Sequence, residues 1–229
     1  MNKAGRTVQG ESELPANFYL DDNYFQTDQM MSLVTQIQLV ESLRPARMLE
    51  IGKGNGFVSD FLRRTGIDVV TFDVNPDLSP DVHGSLLDLD KYFSPGEFDL
   101  VLCAQVLEHL PLSSFASAVN GISTVTSRWA VITLPRCQRI LLDFQWILRL
   151  PRMKVMRNGI FLVLPGSKMD VAHHWEIGSS RESSLQRIVK VFKEYFEINE
   201  ARRIRLNPYH HYFILEKCRP ALSSSTSAT

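Results

Sequence analysis

Glu50, three glycines and Asp73 are the residues whose types and spacing point to chemistry first. The run Leu49-Glu-Ile-Gly-Lys-Gly-Asn-Gly56 sets Gly52, Gly54 and Gly56 at alternate positions, with a carboxylate two residues ahead of them. Glycine tolerates φ > 0, and without a Cβ it lets a ligand lie against bare main chain. A second carboxylate, Asp73, follows 21 positions after Gly52, at the end of the largely apolar run Ile67-Asp-Val-Val-Thr-Phe-Asp73. In dinucleotide-binding folds an acid roughly 20 residues beyond the glycine turn accepts the ribose hydroxyls. Together these residues suit the cradling of a nucleotide-like ligand. The spacing G-x-G-x-G departs from the G-x-G-x-x-G that meets a pyrophosphate, and Glu50 would repel one. A carboxylate beside the turn suits a ligand carrying positive charge. A second group, His173-His174-Trp-Glu176, offers imidazoles with an acid near enough to orient one, and histidine titrates close to neutral pH.

The elements that must position these residues follow from periodicity. Residues 47–51 read as a buried strand, 56–65 as a helix with Val58, Phe61 and Leu62 inward and Gly66 as its stop, and 68–72 as a second strand. Helix start aimed at the glycine turn, with its free N–H groups, completes a βαβ ligand site. Ahead of it, Met30, Leu33, Val34, Ile37 and Val40 recur at helical spacing, predicting a helix from Thr27 or Asp28, either of which would cap it, to about Leu43, with Pro45 ending it. Residues 75–80 are turn-rich, 82–85 form a short strand, and 98–104 a fourth strand. A helix over 113–126 buries Phe115, Val119, Ile122 and Val125, and a fifth strand spans 129–134. Alternation then breaks over 136–180, where 140–149 reads as an amphipathic helix. A helix over 181–196, with Leu185, Ile188, Val189 and Phe192 inward, and two strands, 196–204 and 211–216, joined across Asn207-Pro208, close the chain.

Composition limits the function classes. The 229 residues, 44% hydrophobic, suffice for one full core, and 25 basic side chains balance 25 acidic ones. A neutral chain has no global field for DNA or an anionic membrane, and no DNA partner is expected. No stretch approaches the roughly 20 apolar residues that span a bilayer. The three cysteines are scattered, without a disulfide framework or metal-ligand spacing, which suits a reducing cytoplasm. Residues 1–13 lack an apolar signal core. The serine-rich end, 219–229, reads as a disordered tail and 1–26 as a cap segment, leaving 27–218 as the domain.

Two motifs give this pattern a family. Leu49-Glu-Ile-Gly-Lys-Gly-Asn-Gly56 resembles the first motif of class I S-adenosylmethionine-dependent methyltransferases. Phe98-Asp-Leu-Val-Leu-Cys-Ala-Gln-Val-Leu-Glu-His-Leu110 resembles the fourth-strand motif of their small-molecule, type 11-like branch. The resemblance covers about residues 30–135. It implies an α/β Rossmann-like, doubly wound, mostly parallel seven-stranded sheet with an antiparallel last strand; the substrate lid is read from position, 136–180 being an irregular insertion after strand 5 set to roof the crevice beyond the strands' carboxyl ends. It implies S-adenosylmethionine as cofactor, with Gly52, Gly54 and Gly56 beneath it, Glu50 toward its cationic amino-acid end and Asp73 on its ribose. Ala104 and Gln105, at the exit of the fourth strand, should border its methionine end. The family often carries a Gly-Asp pair for the adenine amine. Here Gly84-Ser85 stands at that position, so Ser85, or Asp88 three residues on, would take the role.

The expected reaction is methyl transfer to an O or N atom of a small molecule. The cofactor carries the reactivity, and the protein supplies alignment, a dry pocket and a base. His173 and His174 are the candidate base, with hydrogen bonding to substrate or plain lid structure as competing roles. Glu108 and His109 read as a structural cap, and Tyr19 and Tyr24 as candidates for the substrate pocket or for helix packing. No metal is expected of the His173-His174 pair, because adjacent side chains point apart and no third ligand is spaced to match. The lid carries six basic residues and one acid between 136 and 157, together with Leu141, Leu142, Phe144, Trp146, Ile147 and Leu148, which suits an anionic or apolar acceptor. A methyltransferase acting on RNA or protein, a nicotinamide oxidoreductase and a catalytically silent fold are the alternatives.

Overall fold

A computed structural model describes residues 15–20, 25–137, 139–151, 156–164, 169–205 and 207–218. The readings made for 1–14, for Tyr24 and for the tail at 219–229 lie outside these residues. Seven strands form one sheet: β1 (Arg47–Ile51), β2 (Asp68–Asp73), β3 (Val82–His83), β4 (Phe98–Ala104), β5 (Thr126–Pro135), β8 (Phe196–Ile204) and β9 (Asn207–Lys217). Their order is β3-β2-β1-β4-β5-β9-β8. The first five are parallel, β9 runs antiparallel to β5, and β8 antiparallel to β9. Strand order reverses between β1 and β4, and in open α/β sheets ligands bind at the carboxyl ends of strands at such a reversal.

Alternation along the strands sorts the core into two layers. Leu49 and Ile51 share one face with Phe72, Val101, Cys103 and Ile132, covered by α3 (Phe115–Val125) and α4 (Leu185–Phe192). Met48, Leu100, Leu102 and Val131 face the other way, beneath α1 (Thr27–Leu43) and α2 (Phe57–Arg64). This is the doubly wound arrangement that the sequence predicts. Both parallel-strand faces are buried, so these strands read as apolar runs.

Several local expectations change. Thr27 opens α1 and neither it nor Asp28 caps it: the cap position is Gln26, without a side-chain hydrogen bond. The helix ends at Arg44, which takes a left-handed φ of 50° ahead of Pro45. Phe61 is exposed, and Val58, Ser59 and Leu62 are the residues α2 buries. Helix α4 is two turns long, shorter than 181–196, and β9 begins at Asn207.

The largest change falls in the insertion. The helix expected over 140–149 is strand as far as Leu148: β6 (Arg139–Leu148) pairs antiparallel with β7 (Met156–Leu164) as a separate two-stranded sheet. The period of two was present, since Leu142, Phe144, Trp146 and Leu148 alternate with Asp143, Gln145 and Ile147. After the hairpin the chain returns as a strap over the end of β5. Ile177 N–H donates to the Pro135 carbonyl at 2.9 Å, and Cys137 N–H to the Ile177 carbonyl at 3.0 Å. Trp175 pins the strap further, donating its indole N–H to the Leu110 carbonyl and packing edge-on against Phe115.

Candidate functional site

At the carboxyl end of β1 the chain turns through Gly52, Gly54 and Gly56, all with positive φ. Gly52 is the most constrained. Its φ is +84°, and a Cβ there would lie 2.4 Å from Cγ2 of Val106 at the exit of β4. The turn is held by Asp73: one carboxylate oxygen accepts the Lys53 N–H and the other the Asn75 N–H, both at 2.8 Å. Burial pushes the Asp73 carboxyl above its ordinary range, and the backbone N–H groups of Asn75, Lys53, Gly54 and Val74 pull against that rise. Lys53 turns its ammonium away, onto the carbonyls of Leu78 and Ser79.

Glu50 lies below the turn, 4% exposed. Burial pushes its carboxyl up to about 8, against the opposing hydrogen bond from Ser59 and the charge of Arg63. Its Oε2 has no hydrogen-bond partner among the described residues. A buried carboxylate with an unsatisfied oxygen is costly by itself and favours a cationic guest. The bare turn, the acid below it and the acid across it therefore fit a ligand with a positive end and ribose hydroxyls. Tyr19 stands over the turn, its ring at 4.0 Å from where a Gly54 Cβ would be, and its carbonyl accepts from the Asn55 side chain.

Beyond β4 the backbone of Gln105 takes a φ of 56°, rare for a side-chain-bearing residue. Both ends of Gln105 are tied to Thr133, its N–H to the carbonyl and its side-chain amide to the hydroxyl. A short 3-10 turn, Leu107–His109, follows and sits beneath the strap. There Glu176 Oε1 accepts from His173 Nδ1 at 2.9 Å, from the Tyr209 hydroxyl at 2.6 Å and from the Asp170 N–H at 2.9 Å. Burial alone would lower His173, but the hydrogen bond it donates to Glu176 and the charge of Glu108 outweigh it and leave the imidazole raised. Burial raises Glu176, and its bonds from His173 and Tyr209 outweigh that, leaving it lowered. His173 also stacks edge-on with His109, ring centroids 5.0 Å apart.

Residues 24–155 match a family described as a methyltransferase domain. The chain belongs to this family. Solved structures of the same fold include the 1,6-didemethyltoxoflavin-N1-methyltransferase of Burkholderia thailandensis, bound to its namesake ligand and S-adenosylhomocysteine. It is 12% identical, with 88% of this chain and 84% of that chain covered and a TM-score of 0.56. The N-methyltransferase NodS of Bradyrhizobium japonicum, in complex with S-adenosylhomocysteine, is 13% identical over 93% of this chain and 97% of its own, with a TM-score of 0.56. The magnesium protoporphyrin IX methyltransferase of Synechocystis, also with S-adenosylhomocysteine, is 14% identical over 86% and 89%, with a TM-score of 0.58. At these identities the likeness is one of fold. Comparison with curated protein sequences gives no match.

In this methyltransferase the glycine turn, Glu50, Asp73, Ala104 and Gln105 all gather at the carboxyl ends of β1, β2 and β4. The loop after β3 approaches them through the Gly84 N–H, which donates to the Asp73 carbonyl. Ser85 and Asp88 have local duties there: the Ser85 hydroxyl accepts from the Leu87 N–H, and Asp88 pairs with Lys91 at 2.7 Å. The two histidines part company. His173 is buried on Glu176, whereas His174 is exposed and lines a cavity of about 370 Å³ with Leu112, Cys137, Met169, Trp175, Ser179 and Ser180. Sequence reasoning missed three groups. Glu108 and His109, read as a cap, lie against His173. Tyr209 anchors Glu176 from β9. Arg136, Arg203 and His211 cluster at the end of β5, where burial followed by Arg136 lowers Arg203 to about 10, and burial followed by the two guanidinium groups lowers His211 to about 4. Apart from Arg203 and His211 on the paired strands β8 and β9, these contacts join residues 33 to 75 positions apart, and no local pattern announces them. No helix among the described residues is long and apolar enough to cross a membrane.

Proposed function

We propose that this chain is an S-adenosylmethionine-dependent methyltransferase that methylates an O or N atom of a small molecule. The observation that carries the reading is Glu50: a buried carboxylate, with one oxygen unpartnered among the described residues, set under a turn of three positive-φ glycines at the sheet's reversal point. The bound cofactor supplies an electrophilic methyl on a sulfonium. Glu50 favours its amino-acid end, and the glycine turn admits its backbone-facing edge. Asp73, at the end of β2 and bonded to the backbone N–H groups of the turn, faces the ribose hydroxyls. Ala104 and Gln105 border the methionine end. The adenine edge falls to the loop headed by Ser85. Asp88, already paired with Lys91, is the weaker of the two candidates.

The acceptor side is the strap and hairpin of 136–180, which we read as the lid. His173, oriented by Glu176, holds or removes the acceptor proton at Nε2, the ring nitrogen that the Glu176 bond leaves available. His174 contacts substrate from the lid cavity. Arg136 and Arg203 with His211 suit an anionic group on the acceptor, while the exposed hairpin suits an apolar one.

Calorimetry tests the cofactor half: S-adenosylmethionine should bind at micromolar strength, NADH should not, and Asp73→Ala should weaken binding at least tenfold. A methyl-transfer assay over small hydroxyl- and amine-bearing metabolites tests the chemistry. Binding without any transfer across the panel would favour a silent methyltransferase fold.

A further inference from the structure

The 3-10 turn after β4 and the strap bring Glu108, His109 and His173 together across 64 positions of sequence. One ligand atom from each of the three lies within 4.8 Å of the other two. Glu108 and His173 are buried and His109 half-buried, so the cluster is inside the protein, with His109 its most accessible member.

Both imidazoles are oriented by a second layer of contacts. His109 donates from Nδ1 to the Ala172 carbonyl at 3.1 Å, and His173 from Nδ1 to Glu176 Oε1 at 2.9 Å. Glu176 is itself held by Tyr209 and the Asp170 N–H. A backbone carbonyl on one histidine and a carboxylate on the other is the outer shell that metal-binding imidazoles use to set tautomer and ring angle. The donor set of two imidazoles and one carboxylate is that of catalytic zinc sites and of open transition-metal triads, which keep further coordination positions for substrate or water.

We propose that Glu108, His109 and His173 bind one divalent transition-metal cation, whose open positions take an oxygen or nitrogen of the methyl acceptor. The acceptor role rests on the reading of the neighbouring crevice given above, with one change: a metal-bound His173 acts on the acceptor through the cation and no longer as the base that takes its proton. The metal site rests on the three side chains and their outer shell alone. Under this assignment the expectation of no metal, drawn from the His173-His174 pair, considered the wrong partner: His174 is exposed, and His109 stands in its place.

The test uses the full chain, stripped with a chelator and titrated with Co²⁺, whose visible absorption reports nitrogen and oxygen coordination. One saturating equivalent with a visible band is expected, with Zn²⁺ displacing it. His109→Ala and Glu108→Gln should each weaken Co²⁺ binding more than tenfold, and Glu176→Gln, which acts on the ligand's orientation, about tenfold. Calorimetry with S-adenosylmethionine on the same samples confirms that each variant is folded. If Glu108→Gln fails that control, His109→Gln at the half-buried rim decides. No saturable Co²⁺ binding, or binding unchanged in the His109 variants, overturns the site. Co²⁺ binding in a protein that ignores S-adenosylmethionine would instead overturn the functional reading and leave the metal site standing.

Discussion

The Asp73 carboxylate accepts the backbone N–H of Lys53 at 2.8 Å, closing the second strand onto the middle of the glycine turn. Asp73 thus has two duties, shaping the turn and facing the ribose. Its removal should cost both. Hydrogen bonds to a charged acceptor contribute about 1.5–3 kcal/mol each. Asp73→Ala should therefore lower unfolding stability by a few kcal/mol, roughly, and weaken S-adenosylmethionine at least tenfold. Asp73→Asn, which keeps one carbonyl acceptor, should fall between. Urea unfolding beside calorimetry checks this. A variant that loses affinity at wild-type stability would leave Asp73 as a ligand contact only.

Gly52 gives a sharper test of the turn. Gly52→Ala meets two obstacles, the φ of +84° and the Val106 methyl at 2.4 Å. Strain at such a φ costs on the order of 1–3 kcal/mol. The double variant Gly52→Ala, Val106→Ala should recover the steric part and leave the backbone part. Double-mutant thermal unfolding separates them, and a fully additive pair would show that the two residues do not touch.

Glu50 predicts a pH dependence. Its folded carboxyl is raised to about 8 from an ordinary 4.5, so the native state holds a proton that the unfolded state releases. Stability from this group is full below pH 4.5 and is lost as pH climbs to about 8, at up to about 1.4 kcal/mol per pH unit. The groups facing it are Ser59, Arg63, Asp60 and Lys53. Buried His210 and His211, lowered to about 3 and about 4, act with the opposite sign, their stability being lost as pH falls below 6.5. His173, raised, adds a fall of the same sign as Glu50 above pH 6.5. The clean measurement is therefore wild type minus Glu50→Gln between pH 6.5 and 8. The difference should shrink steadily with rising pH, and saturating S-adenosylmethionine should flatten it. A constant difference would contradict a buried, proton-holding Glu50.

The sequence carried the sheet and the cofactor crevice because both are local. A glycine turn, the acid before it and the acid 21 residues later are read within one βαβ unit, and the apolar runs of β1, β2, β4 and β5 have no competing interpretation. The acceptor side is built from distant segments. His109 meets His173, Tyr209 meets Glu176, and Ser32 on α1 bonds His210 on β9 at 2.8 Å, each pair set by topology rather than by pattern. Residues 140–148 failed for a different reason. Leu141 and Ile147 interrupt an otherwise alternating run, and periods of 2 and 3.6 both fit nine mostly apolar residues. Phe61 had the right spacing for the α2 core face but lies on its rim, where Ser59 takes the buried position instead.

The β6–β7 hairpin allows the lid to be tested apart from the sheet. Among the described residues its strands pair only with each other, and Leu142↔Leu162 and Phe144↔Ile160 put four apolar side chains on one face, each more than half exposed. Burying that face against a bound acceptor would remove apolar area worth about 25 cal/mol per Å², which the free protein forgoes. Replacing 140–163 with a short Gly-Ser linker should therefore leave the thermal midpoint within a few degrees and S-adenosylmethionine affinity within about twofold, because among the described residues no side chain of the hairpin belongs to either core layer. Methyl transfer should fall by at least tenfold, chiefly through KM if the hairpin grips substrate, or through kcat if it excludes water. Milder changes, Leu142→Ser with Ile160→Thr, should move transfer in the same direction without altering cofactor binding. A collapse in stability on deletion would show instead that the hairpin supports the strap carrying His173, and the lid role would pass to residues 169–178.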